Sequence, residues 1–243
     1  MFVVTDARAS RLVVMQVSAL VCGVLAGIVF VAFPDIDLTF SRFFYKGEGM
    51  FVGQSLLSIK IARFAFAALL YVSVGATLAG LFITHGRSRT WLRLAFPQWL
   101  YLAICLAAGP GLVANVVLKD HFGRPRPKQV MEFGGNKVFS PALIPSKECA
   151  SNCSFISGEA ASTFLPFFAA SAVMPEVAPV LLAVGMLCGV ASGLVRVSQG
   201  AHFLSDVVFA AVSMALTAAC VHSAMFGRAE PRSRTRSGSL DLG

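Results

Sequence analysis

The sequence predicts an all-α, polytopic membrane protein: a six-helix transmembrane bundle with its polar site at the periplasmic membrane face. Two observations carry the fold class. The chain is 56% hydrophobic and 13% charged, whereas a soluble domain needs about 25% charged residues for its surface. Its apolar residues also gather into six stretches near the roughly 20 residues that cross a hydrocarbon core.

These stretches fall at 12–34, 62–84, 94–118, 156–174, 177–195 and 204–226. The first follows Arg8 and Arg11. It is too long for a signal-peptide core and has no small-residue cleavage motif directly after it, so it is expected to stay as a helix. The third contains Gly109, Pro110 and Gly111. A kink is expected there, tolerable where neighbouring helices satisfy the freed backbone groups. Residues 1–227 read as one domain and 228–243, rich in Arg, Ser and Pro, as a disordered basic tail.

Arg8 and Arg11, then Arg87, Arg89 and Arg93, then Arg228, Arg232, Arg234 and Arg236 fall on one side of a six-helix layout. The positive-inside rule makes that side cytoplasmic. The long segments 35–61 and 119–155 then lie on the outer side, which is the periplasm if the membrane is a bacterial inner membrane. Segment 37–45 reads either as an amphipathic helix at the interface or as an ordinary connection. The net charge of +8 does not indicate nucleic acid, because its cations are scattered among loops rather than set in one stripe. Anionic lipid headgroups account for them better. Cys22, Cys105, Cys188 and Cys220 fall inside helices, as small buried apolar groups. Cys149 and Cys153 lie in the outer segment, where a disulfide or two free thiols are both open.

Three polar groups stand at the outer ends of helices, where charge at the membrane boundary points to function. The first, 119–127, has Lys119 at a helix end and Arg124 and Arg126 in a stretch stiffened by Pro125 and Pro127. Lys and Arg there suit phosphate oxygens, or the headgroups of bulk lipid. The second, Ser157, Gly158 and Glu159, begins a helix, whose unpaired N–H groups form an anion site. Ser157 is equally a plain N-cap. In the third, Arg196 precedes His202, and Asp206 follows four residues later, on one helical face if the helix has begun. A carboxylate on one imidazole nitrogen fixes the tautomer and leaves the other nitrogen to attack. His85 and His222 read as structural.

Lys119, Arg126 with Pro127, Ser157 with Gly158, Arg196, His202 and Asp206 together resemble the signature of the type-2 phosphatidic acid phosphatase superfamily in order and spacing. The resemblance implies a lipid phosphatase acting through a phosphohistidine on His202, oriented by Asp206. Lys119, Arg126, Arg196, Ser157 and Gly158 would hold the phosphate, with no metal and no other cofactor. Three cations would then neutralise the equatorial oxygens. One position departs from the pattern. The family's His after Ser-Gly is Glu159 here, so the proton donor is Glu159 or, second, His121, unless Glu159 contacts a headgroup instead. The residues around the three motifs are also similar to bacterial phosphatases of lipid A, acting on its 4′-phosphate. The expected partner is therefore a membrane lipid: lipid A first, with undecaprenyl diphosphate, phosphatidylglycerol phosphate and phosphatidic acid as alternatives. A non-catalytic phospholipid-binding protein and a lipid transporter are the competing classes. Against transport, the charges collect at one membrane face rather than at its midplane.

Overall fold

The computed structural model describes the backbone of residues 2–86 and 89–227, and their side chains except those of 2–12 and 120. The expected tail 228–243, Arg87 and the side chains of Arg8 and Arg11 lie outside the described residues.

The chain opens with α1 (Phe2–Ala32) and a short α2 (Asp35–Arg42), then a hairpin of β1 (Tyr45–Gly47) and β2 (Met50–Phe51). One turn, α3 (Val52–Ser55), leads into α4 (Leu57–Thr84). Next, α5 (Phe96–Leu106) runs on as a π-helical segment (Ala107–Leu118) and a single turn, α6 (Lys119–Phe122). Two 3₁₀ turns and an irregular loop follow, then α7 (Gly158–Val173), α8 (Ala178–Ser198) and α9 (Leu204–Phe226). Among the described residues, five helical runs are long and apolar enough to cross a membrane: Val13–Ala32, Leu57–Thr84, Phe96–Leu118, Ala178–Ser198 and Leu204–Phe226. The exposed Phe64, Tyr71 and Phe82 on α4 are what a lipid-facing helix carries outward.

The remaining expected crossing, 156–174, corresponds to α7. Its 16 residues span only about 24 Å at 1.5 Å per residue, short of the roughly 30 Å core. It sits centrally, packed against α4, α5, the π-helical segment, α8 and α9. Ala160, Ala161, Phe164, Leu165 and Phe168 are buried along it.

The expected kink at 109–111 takes the form of π-helix. Pro110 has no N–H to give, and the freed pattern leaves its carbonyl to accept from Asn115 Nδ2 at 2.7 Å. Gly109 permits a close crossing, since a Cβ there would stand 2.6 Å from Leu165 and 2.9 Å from Met214 Sδ.

Segment 37–45 is helical at its start, but it docks rather than floats: Asp37, Leu38 and Ser41 are buried. Leu38 joins Phe51, Val130, Phe133 and Phe203 in a second small core. Cys149 and Cys153 are joined by a disulfide. Of the thiols within helices, Cys105 is buried as expected, whereas Cys22 and Cys220 are exposed on the bundle surface. A thiol is apolar enough to face acyl chains, so burial was not required of them.

Candidate active site

The polar residues of the site come from α2, α4, α6, the loop between α6 and α7, the first turns of α7 and α9, the last turn of α8 and the turn joining α8 to α9.

His202 precedes α9 rather than lying on it, which corrects the expectation of a shared helical face with Asp206. The two still meet. Asp206 folds back to accept from the Phe203 N–H at 2.8 Å, and its carboxylate stands 3.6 Å from His202 Nδ1. The hydrogen bond of Nδ1 goes elsewhere, to the Ser154 carbonyl at 2.8 Å. A carbonyl only accepts, so Nδ1 carries the hydrogen and Nε2 the lone pair of the neutral ring. The Ser154 hydroxyl donates to Asp206 Oδ2 at 2.5 Å, closing the triangle. Burial pushes His202 below the ordinary histidine range, against the pull of the Asp206 bond and charge, while the charges of Arg196 and Arg126 act with burial.

Ser157 caps α7, accepting from the Ala160 N–H at 3.4 Å, and its own N–H donates to the Asp206 carbonyl at 3.2 Å. Gly158 keeps the helix start open to Lys119: a Cβ there would stand 3.3 Å from Lys119 Nζ and 3.2 Å from Asn115 Oδ1. Lys119 Nζ itself donates to Asn115 Oδ1 at 3.1 Å. Arg126 reaches across to the outer loop, its Nη2 donating to both the carbonyl and Oδ1 of Asn152 at 2.8 Å. The Cys149–Cys153 disulfide brackets that asparagine. Burial lowers Arg126, opposed by the charges of Asp206 and Glu159. Arg196 donates through Nη1 to Gln199 Oε1 at 2.6 Å, while its buried Nε has no hydrogen-bond partner.

Glu159 faces arginines. Arg63 of α4 grips it through Nη2 at 2.9 Å and Nε at 3.1 Å, and Arg196 Nε lies 3.5 Å from the same oxygen. His121, the alternative donor, is exposed, with Nδ1 turned to the Val116 carbonyl at 3.3 Å.

Sequence reasoning missed Asp37, Arg63, Ser154 and Ser205, and gave Arg124 no role of its own. Arg124, 1% exposed, donates Nη2 to Asp37 at 2.8 Å and Nη1 to Asp206 at 2.7 Å and Ser205 Oγ at 2.8 Å. Its Nε bonds the Ser140 carbonyl at 2.9 Å, and Phe203 lies under the guanidinium at 4.4 Å. Gly123, just before it, needs its left-handed φ of +56°, and a Cβ there would collide with the Ser146 carbonyl. Among the described residues no group of three or more His, Cys, Asp or Glu side chains is placed to hold a metal.

Comparison with known proteins adds kinship to this geometry. The family model described as the PAP2 superfamily matches residues 98–230. The chain is 35% identical over 215 residues to a lipid A 4′-phosphatase of Francisella tularensis subsp. novicida (strain U112), covering 84% of this chain and 93% of that protein. It is 36% identical over 197 residues to a lipid A 4′-phosphatase of Rhizobium leguminosarum, covering 74% and 83%. A protein of the same name from Rhizobium etli is 34% identical over 200 residues, covering 74% and 75%. No solved structure matches. With its matched region taking in Lys119, Arg126, Ser157, Arg196, His202 and Asp206, the chain belongs to the PAP2 superfamily.

Proposed function

We propose that this membrane lipid phosphatase removes the 4′-phosphate of lipid A from within the bacterial inner membrane, with six crossings and its site open to the periplasm. The observation that carries the mechanism is the His202 tautomer: Nδ1 is committed to the Ser154 carbonyl, which leaves Nε2 to attack phosphorus. As the Nε2–P bond forms, the bond from phosphorus to the sugar oxygen breaks, and that oxygen takes a proton. Water then attacks the phosphohistidine, the N–P bond breaks, inorganic phosphate leaves, and the proton given up by water restores the balance.

Lys119, Arg126 and Arg196 surround the transferred group, and Arg196 Nε, ion-paired with Glu159 at 3.5 Å but without a hydrogen-bond acceptor, is a donor that a phosphate oxygen can engage. The α7 N-terminus adds the N–H groups of Gly158 and Glu159, that of Ser157 being taken by the Asp206 carbonyl. These charges can do the neutralising without a divalent metal. Glu159, at the start of α7 beside Arg196, is the candidate proton donor to the leaving oxygen. The arginine grip on both its oxygens favours a second role, because protonating it would give up part of that fork: Glu159 holds Arg63 and Arg196 apart and aimed.

The lipid A assignment rests on the relatives' names and on how much of each protein is aligned. The disulfide beside Arg126 suits an oxidising compartment. Six crossings are supported by the alternation of helix ends around the site, which α7 must complete. The test incubates purified protein in detergent with lipid A, undecaprenyl diphosphate and phosphatidylglycerol phosphate, with chelator present, beside His202→Ala. Phosphate release from lipid A that chelator spares and the variant lacks is expected. Preference for another lipid, or release that chelator abolishes, overturns the corresponding part.

A further inference from the structure

Behind His202 lies a buried cluster of charges that the reaction scheme above does not use. Asp37 and Asp206 are both fully buried, and Arg124 stands between them. The members come from three distant places: Asp37 from α2, Arg124 from the loop after α6, and Asp206 from the first turn of α9. Asp37 lies outside the residues matched by the family model.

Both carboxyl groups are surrounded by donors. Asp37 Oδ1 accepts from the Ser205 N–H at 2.9 Å, and Oδ2 from Arg124 Nη2 at 2.8 Å and the Ser205 hydroxyl at 2.5 Å. Asp206 accepts from Arg124, the Phe203 N–H and the Ser154 hydroxyl. Burial raises the Asp37 carboxyl; the Arg124 charge opposes it, the Asp206 charge adds to it, and the bonds from Ser205 and Arg124 oppose it again. Direct contact with the guanidinium and hydrogens presented by the Ser205 N–H and hydroxyl suit the carboxylate, which is the form the proposal below takes. Two carboxylates against one guanidinium leave one negative charge uncompensated in a buried site, a costly arrangement unless a positive charge is to arise beside it.

That charge arises on the imidazole. Once Nε2 is bonded to phosphorus with Nδ1 still protonated, the His202 ring is cationic. We propose that Asp37 and Arg124 are positioning residues of this reaction. They fix the Asp206 carboxylate beside His202 and tune the cluster to a single negative charge, which the ring's charge neutralises during phosphoryl transfer. The inference rests on His202 as nucleophile and refines how it is supported.

The charged groups that act on His202 are Asp206 of α9, Arg196 of α8 and Arg126 of the loop after α6, with Asp37 and Arg124 acting through Asp206. Removing one negative charge makes protonation of His202 harder. Asp37→Asn therefore moves the acidic limb of the rate profile to lower pH. It lowers kcat about tenfold or more and leaves KM within about twofold, because a lost interaction with the reacting state alone acts on kcat. The double variant Asp37→Asn, Arg124→Met removes one charge of each sign, so the limb returns to its wild-type position. A purely structural role for Asp37 would move no limb and would not be corrected by a second deletion.

The full chain in detergent is used throughout. Rates are measured on lipid A, and the His202 ring is titrated by nuclear magnetic resonance with isotope-labelled histidine, assigned through His202→Ala. A wild-type limb and ring titration in folded Asp37→Asn overturn the proposal, as does a double variant whose limb stays displaced. If Asp37→Asn does not fold, Arg124→Met decides: losing one positive charge should move the limb and the ring titration to higher pH, and wild-type values in that variant overturn the proposal. If the wild type releases no phosphate from any lipid, the functional reading has failed, and the ring titration still decides whether Asp37 and Arg124 set the charge felt by His202.

Discussion

On the proposed mechanism His202 must be unprotonated to attack, and its burial meets that requirement. Its pKa is depressed, with burial the first cause. The neutral ring therefore persists below the ordinary histidine value of about 6.5. Activity should hold as pH falls through that value and decline only below it. A pH–rate profile whose acidic limb lies at or above about 6.5 would contradict this. Glu159 is the residue at which the family pattern and this chain part, and its partner Arg63 is what the pattern cannot show. If Glu159 chiefly aims arginines, Glu159→Gln raises KM several-fold while keeping the shape of the pH profile. If it is the proton donor, the same variant loses the basic limb of kcat. Steady-state kinetics across pH separates the two.

At the scale of elements, two loop segments and one helix start do the positioning. The loop closed by Cys149–Cys153 offers the Asn152 carbonyl and side chain to Arg126. Opening the bridge by Cys149→Ser with Cys153→Ser loosens that support. It should raise KM by a few-fold more than it lowers kcat, measured beside wild type treated with reductant. The turn at Gly123 aims Arg124 inward. Gly123→Ala combines a left-handed backbone with a carbonyl collision and should cost about 1–3 kcal/mol of stability, seen as a lower midpoint of thermal unfolding in detergent. The start of α7 is open to Lys119 only because residue 158 lacks a Cβ. Gly158→Ala should push Lys119 and Asn115 aside and weaken phosphate binding, raising the inhibition constant for inorganic phosphate.

At the scale of the molecule, the sequence was legible where its signals are local. Length and hydropathy placed the five long apolar helices to within a few residues, and the Gly109–Pro110–Gly111 run announced its irregular backbone. The span around α7 was legible as apolar but not as short: a buried helix surrounded by neighbours carries the same apolar residues as one that meets lipid. Lys119, Arg126, Ser157, Arg196, His202 and Asp206 form a spaced pattern that is legible in the sequence, and the fold gathers them at one end of the bundle. Asp37 stands 87 residues from Arg124 and 168 from Ser205. Pairs so separated leave no periodicity to read, and only folding shows that they share a buried network. Arg63 was hidden in the same way, 96 residues from Glu159.

Helix ends alternating around one polar centre are the basis of the proposal that chemistry at one membrane face is carried by three cations and a single imidazole without a metal. The most direct test of that account is a rapid acid-free quench of the wild-type protein mixed with excess phosphate-labelled lipid A, followed by mass spectrometry of its peptides. Phosphate carried by His202 under turnover, absent from His202→Ala, is the predicted result. Steady release of phosphate with no phosphorylated His202, or with the phosphoryl group on another residue, would contradict it.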